Sequence, residues 1–242
     1  MTADGWTQAV RQQLGLGRLL PLGGPGDGAW ITEAAAASVL RGAVRHEPGV
    51  RLGSLRLALA DPDGAPESVV PPPPSALPPG PLRISAEFAA SPTEPLPAAA
   101  ARLRAALTAT AVDTLGLAVT EVDLRVTGLL EEGADSPEPS EPTAPAHRAE
   151  PNPSPDTDES RVATAARAVP GVTALTGKPH IEEHHSDTAL PRRHVRVEIG
   201  VDTTERTLDV ARAVRTRITQ SLPDHPTTAV LVTAVTPAAP AP

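Results

Sequence analysis

The chain has 242 residues, of which 30 are proline and 18 glycine, with a formal charge of −8 and no cysteine. The missing cysteines exclude disulfides, thiol catalysis, thiolate-bound zinc and iron–sulfur clusters, and three aromatics in all (Trp6, Trp30 and Phe88) are too few for the stacking platforms that bind single-stranded nucleic acid. The charge is local: residues 130–159 hold nine acids and one arginine, while the rest is near neutral without a basic stripe, so nucleic acid is not an expected partner.

The amino terminus has neither a basic n-region nor an apolar h-region, and no window approaches 18 apolar residues. No secretory signal and no membrane-spanning helix are expected. A surplus of alanine with 20 arginines to one lysine (Lys178) reads as the coding bias of a GC-rich, actinobacterial genome. Residues 1–29 are expected to form an amphipathic helix and a Gly-rich joint. Trp6, Val10 and Leu14 fall at i, i+4 and i+8, and with Leu19, Leu20 and Leu22 they give this stretch more apolar surface than a free tail wants. Docking on the chain's own modules, binding a partner chain and resting on a membrane surface all stay open, with Trp6, Val10 and Leu14 the interaction candidates. Leu22–Gly28 is glycine-rich like a phosphate loop, but lacks the Lys-Ser/Thr ending. A flexible joint is preferred.

Residues 30–130 read as a first module. Thr32 can cap a helix that ends at Pro48-Gly49. Val50 to Leu59 suggest an extended segment, and a proline-rich insert follows at 62–81. Leu82, Ile84, Ala86 and Phe88 then alternate as a strand. Ser91-Pro-Thr-Glu94 has the spacing of a capping box ahead of Leu96, Ala100, Leu103 and Leu107 at helical intervals. Leu115-Gly116 closes that helix. Residues 117–129 are the last strand, and a change of apolar parity between Val119 and Val122 predicts a bulge near Thr120-Glu121.

Seven prolines in 137–155 and no large apolar residue between Leu130 and Val162 make 131–159 an acidic linker expected to be disordered. Residues 160–236 read as a second module: a helix with Val162, Ala165, Ala166 and Val169 on one face, a short extended piece at Val172 to Leu175, and a strand alternating through 193–202. A helical stripe of Leu208, Ala211, Val214, Ile218 and Leu222 and a β-branched strand at 228–235 complete it. Residues 237–242 read as a tail. Both modules have the order α-β-β-α-β. VRHEPGV (44–50) matches ARAVPGV (166–172), and LRISAEF (82–88) matches VRVEIGV (195–201), so internal duplication of an α+β, two-layer unit is expected.

A helix running into Pro-Gly-Val, two strands, a helix and then Gly116-Leu117-x-Val119-x-x-Val122-Asp123-x-x-Val126-x-Gly128 resembles the alkaline-shock, envelope-stress-response family. The resemblance covers about 30–130 and, more weakly, 160–236. It implies a protein without catalysis or cofactor, found in the cytoplasm or at the inner membrane face through a separate anchor. Its partners would be related proteins or an anchor protein, with self-association open.

His180-Ile-Glu-Glu183-His184 spells the inverted zinc-protease motif H-x-x-E-H, but the surrounding polar run places it in a loop, where two ligands cannot share a helical turn. His180, His184 and His185 are the residues a metal would use, and a solvated loop is the preferred reading. Five of the seven histidines (180, 184, 185, 194 and 225) fall in the second module, which suggests a pH-responsive interaction or a chance grouping. The expected function is a non-enzymatic scaffold or adaptor. The alternative is a regulatory protein that senses a small molecule between its modules; a polar cleft would favour the second, an open sheet edge or an Ala/Leu patch the first.

Overall fold

The computed structural model describes residues 16–45, 47–130, 157–186 and 189–237. The fold is α+β with two sheets. In chain order the elements are β1 (Leu19–Leu22), β2 (Ala29–Thr32), α1 (Glu33–Val44), β3 (Val50–Leu59), β4 (Leu82–Ala90), α2 (Leu96–Ala109) with a π-helical turn (Thr110–Leu115), and β5 (Val119–Leu129). The second half adds α3 (Asp158–Arg167), β6 (Val172–Leu175), β7 (His180–Ser186), β8 (Ala189–Asp202), α4 (Thr207–Ser221) and β9 (Thr227–Thr236). One sheet has the order β1-β2-β9-β8-β6 with β7 also on β8; the other is β3-β4-β5.

The two halves repeat one connectivity. In each, a threonine-capped helix leads through a left-handed glycine into a strand antiparallel to the central strand, and a second helix crosses to a strand parallel to it. Thr32 Oγ1 accepts from the Ala35 N–H and Thr157 Oγ1 from the Ser160 N–H, both at 3.2 Å. Gly49 and Gly171 hold φ of +68° and +84°, conformations costly for other residues. Their carbonyls accept from Ser91 and Asp202 N–H at 2.8 and 2.9 Å. Each last strand bulges at a threonine: Thr127 Oγ1 donates to the Phe88 carbonyl at 3.3 Å and Thr233 Oγ1 to the Ile199 carbonyl at 3.4 Å. These matched bonds set Phe88 against Ile199, a register two residues away from the one that LRISAEF and VRVEIGV suggest. The bulge expected at Thr120 is present as well, because Leu82 faces Val119 and Arg83 faces Glu121.

Several boundaries differ from the sequence expectations. Leu19–Leu22 is a strand rather than helix, and Gly23–Gly28 is the turn of the β1–β2 hairpin rather than a joint. Through β2, whose Ala29, Trp30 and Ile31 pair in parallel with Val230, Leu231 and Val232, the amino-terminal residues complete the sheet of the second half. One hydrophobic core runs through both halves, from Leu40, Leu57 and Phe88 to Val197, Val214 and Val232. The capping-box reading of Ser91–Glu94 fails: Pro95 precedes α2 without a side-chain cap, Ser91 Oγ bonds Thr93 Oγ1, and Glu94 pairs with Arg102. Proline at the entry of a helix replaces the cap by presetting φ. Residues 158 and 159, read as linker, open α3.

The proline-rich insert 62–81 is a strap across the outer face of the first sheet. Val70, only 2% exposed, joins Leu19, Trp30, Ala229 and Leu231 in a second apolar cluster. Backbone bonds hold it: Leu19 N–H to the Ser75 carbonyl (3.1 Å), Leu77 N–H to the Leu19 carbonyl (2.9 Å) and Val69 N–H to the Pro25 carbonyl (3.0 Å). Trp30 Nε1 donates to the Leu77 carbonyl at 3.4 Å. Prolines suit such a strap, since they have little entropy to lose on ordering.

Candidate interaction surface

The edges of the second sheet are finished in opposite ways. On β3, the Leu57 N–H donates to Glu33 Oε1 (3.2 Å) and its carbonyl accepts from Arg18 Nη2 (2.8 Å), while Arg18 and Glu33 bond each other in a fork. Arg41 caps the Gly53 carbonyl at 2.8 Å. That edge is closed to another strand. Among the described residues β5 ends the sheet on the other side, and the side-chain bond seen there on its edge is Arg104 Nε to the Val122 carbonyl, at 3.3 Å.

β5 is also apolar where it faces α2. Opposite the buried Ile84, Ala86 and Phe88 stand Val122, Leu124 and Val126, of which Val126 is 41% exposed and, further along, Leu129 is 61% exposed. On α2 and its π-helical turn a shallow groove of about 570 Å³ is lined by Ala101, Arg104, Ala105, Thr108, Ala109, Val112 and Asp113, and Arg104 reaches from it to β5. The opposite face of β5 is charged: Glu121 meets Arg83 at 2.5 Å, Asp123 lies 3.7 Å from Arg83, and Arg125 lies 3.8 Å from Glu87. A half-apolar strand whose edge is unpaired among the described residues, near a groove of alanines flanked by Arg104 and Asp113, is a surface for adding a strand or a helix.

β9 occupies the matching place in the repeat. There the edge is taken by β2, and Val230, Leu231 and Val232 are all buried, the first and last by the core and Leu231 by the strap. The hairpin that delivers β2 is pinned at its turn. Asp27 accepts from the Gly24 N–H (2.7 Å) and from Arg212 Nε and Nη2 on α4 (2.8 and 3.0 Å). The bonds from Arg212 hold the Asp27 carboxyl below its ordinary pKa of 3.8. Gly23, at φ +76°, has no room for a Cβ beside Asp27. The glycine-rich stretch is therefore filled by its own carboxylate and joins two strands; it is no phosphate loop.

Trp6, Val10 and Leu14 lie outside the described residues, as do residues 131–156 of the expected 131–159 linker and 238–242 of the expected 237–242 tail. The H-x-x-E-H run lies on β7, not in a loop. Residues three apart on a strand face opposite sides, so His180 and Glu183 do not converge; His180 Nε2 instead lies 3.3 Å from Glu182 Oε2. Among the described residues no three His, Asp or Glu side chains are placed to hold a metal ion. His194 is buried on β8 with Nδ1 2.9 Å from Thr227 Oγ1, and His225 Nδ1 lies 3.1 Å from the Thr219 carbonyl. His194 thus stands opposite Glu182 of β7 in the β7–β8 ladder, whereas His225 is held in the turn after α4; the two do not share a polar loop with β7. The β5 edge went unread in the sequence because alternation marks a strand and one buried face without saying which strand ends the sheet.

Where the halves meet, Leu208 packs on Gly116, and Arg206 Nε donates to the Val112 carbonyl at 3.0 Å. Among the described residues no helix is long and apolar enough to cross a membrane. Compared with known proteins, the chain matches no protein-family model, and no curated protein matches it.

Proposed function

We propose that this chain is a non-enzymatic scaffold or adaptor that works by protein–protein contact, with the β5 edge and the adjoining face of α2 as its working surface. One observation carries the reading: the strand that β2 covers in the second half has a counterpart in the first half whose edge no strand among the described residues covers, with half-exposed valine and leucine side chains. Folded proteins usually blunt such edges, and this one blunts β3 with three charged side chains. The sensing alternative would need space where Leu208 already packs on Gly116.

The resemblance to envelope-stress proteins supplies the setting. The chain would act in the cytoplasm, reach the inner membrane face through an anchor protein and bind related proteins, without nucleic acid. Quantitative capture from the native host tests the reading, with wild type, Val126→Lys and Val69→Lys as baits. Val69 is exposed on the strap and serves as the control. A partner kept by V69K and lost by V126K supports the β5 surface; equal capture by all three overturns it.

A further inference from the structure

We infer that the occupant of the β5 edge is the β5 strand of a second copy, paired antiparallel about Leu124. The inference rests on the adaptor reading above and names its partner. Two identical edges related by a twofold axis perpendicular to the sheet must run antiparallel, and residues opposite each other must share a face. The order Glu121-Val122-Asp123-Leu124-Arg125-Val126 then leaves few registers. Centring on Leu124 sets Asp123 against Arg125 twice and Val122 against Val126 twice. Centring on Asp123 sets two aspartates face to face, and centring on Arg125 sets two arginines together. Charge selects Leu124.

The backbone fits the same register. The Val122 carbonyl points away from β4, toward Arg104. Alternate residues of a strand aim their polar groups at the same side, so Val122, Leu124 and Val126 present the outward N–H and C=O groups. Leu124 then forms a hydrogen-bonded pair with its copy, while Asp123 and Arg125 form the closer, non-hydrogen-bonded pairs where cross-strand ion pairing is strongest. Pairing requires Arg104 to release the Val122 carbonyl, an exchange of one hydrogen bond for a ladder. Two β3-β4-β5 sheets become one of six strands, and the small Ala101, Ala105 and Ala109 side chains let the two α2 helices approach beside it.

The test is charge complementation in the full chain, read by sedimentation velocity up to about 100 μM. Wild type should form a dimer, and Asp123→Arg or Arg125→Asp alone should weaken it by about tenfold or more. An equimolar mixture of D123R and R125D should recover it, because each arginine of one chain then meets an aspartate of the other. Leu124→Cys adds a second readout in a chain without cysteine. The two copies' Cα atoms would lie about 5.5 Å apart, within disulfide range, whereas Glu121→Cys should not cross-link. A monomeric wild type, or a mixture no stronger than the single variants, overturns the inference. If V126K still loses a captured partner in that case, the adaptor reading stands and the occupant is another protein; if it loses none, both fall.

Discussion

β5 and β9 are the same strand of a repeated unit with opposite fates. Both run parallel to a central strand, and both bulge at a threonine that bonds the central strand's carbonyl. β9 has β2 on its edge, the core on one face and the strap on the other; β5 has a charged solvent face and an edge met by Arg104. The lesson is that a repeat can keep its internal bonds and still divide its labour. One copy holds the molecule together, and the other, in the function proposed above, makes the contact.

Matched substitutions should show that division most sharply. Val126 and Val232 sit at the same place before the bulge, facing Phe88 and Ile199. Val232→Lys buries an unpaired charge and should cost about 4 kcal/mol or more. Val126→Lys should stay within about 0.5 kcal/mol. Urea midpoints give both values, and equal losses would dissolve the contrast. Trp30→Ala comes next, with about 3 kcal/mol expected from truncating the largest side chain of the strap cluster; a smaller loss would mean the strap settles onto the sheet without it. Replacing 66–79 by an equally long Gly/Ser chain should cost about 2 kcal/mol through the lost burial of Val70 and the uncovering of Trp30. A loop that merely joined β3 to β4 would show almost no change.

The smallest effect concerns the hairpin turn. Asp27→Asn should cost about 1 kcal/mol at neutral pH, since its partner Arg212 is half exposed and screened by solvent. Arg212 lowers the folded pKa of Asp27 below 3.8, so the stabilisation is complete above the ordinary aspartate range. It fades as pH falls through the lowered value. Wild type and D27N should therefore differ by a constant amount from pH 5 to 8, and in thermal melts the difference should shrink only as the pH falls below 3.8. A difference that grows on acidification would point to another group.

Much of the fold could be read from the residues. Alternation located β4 and β8, β-branched residues located β9, the stripe from Leu208 to Leu222 located α4, and the parity change at Val119 located the Thr120 bulge. What escaped had physical reasons. Leu19, Leu20 and Leu22 are buried on both faces of a sheet, so they show a continuous apolar run that periodicity cannot separate from helix. β7, with the sequence HIEEHHS, has no apolar face to alternate. In the insert the prolines masked Val69-Val70 and Ala76-Leu77, the residues that separate a strap from a tether. The candidate surface was harder still, because nothing local in β5 records that β2 pairs elsewhere.

That pairing has a consequence in time. Thr32 and Thr233, joined where β2 meets β9, lie 201 positions apart in the chain, whereas Arg83 and Glu121, joined where β4 meets β5, are separated by 38. During synthesis at about 5–20 residues per second, β2 would wait roughly 10–40 s for its partner. Until β9 emerges, Trp30 lacks the sheet on which it is buried. The best protected of these strands is thus made about 200 residues after the strand it pairs with, and a ribosome stalled before β9 emerges would hold a chain with its β4–β5 pair made and Trp30 without its sheet.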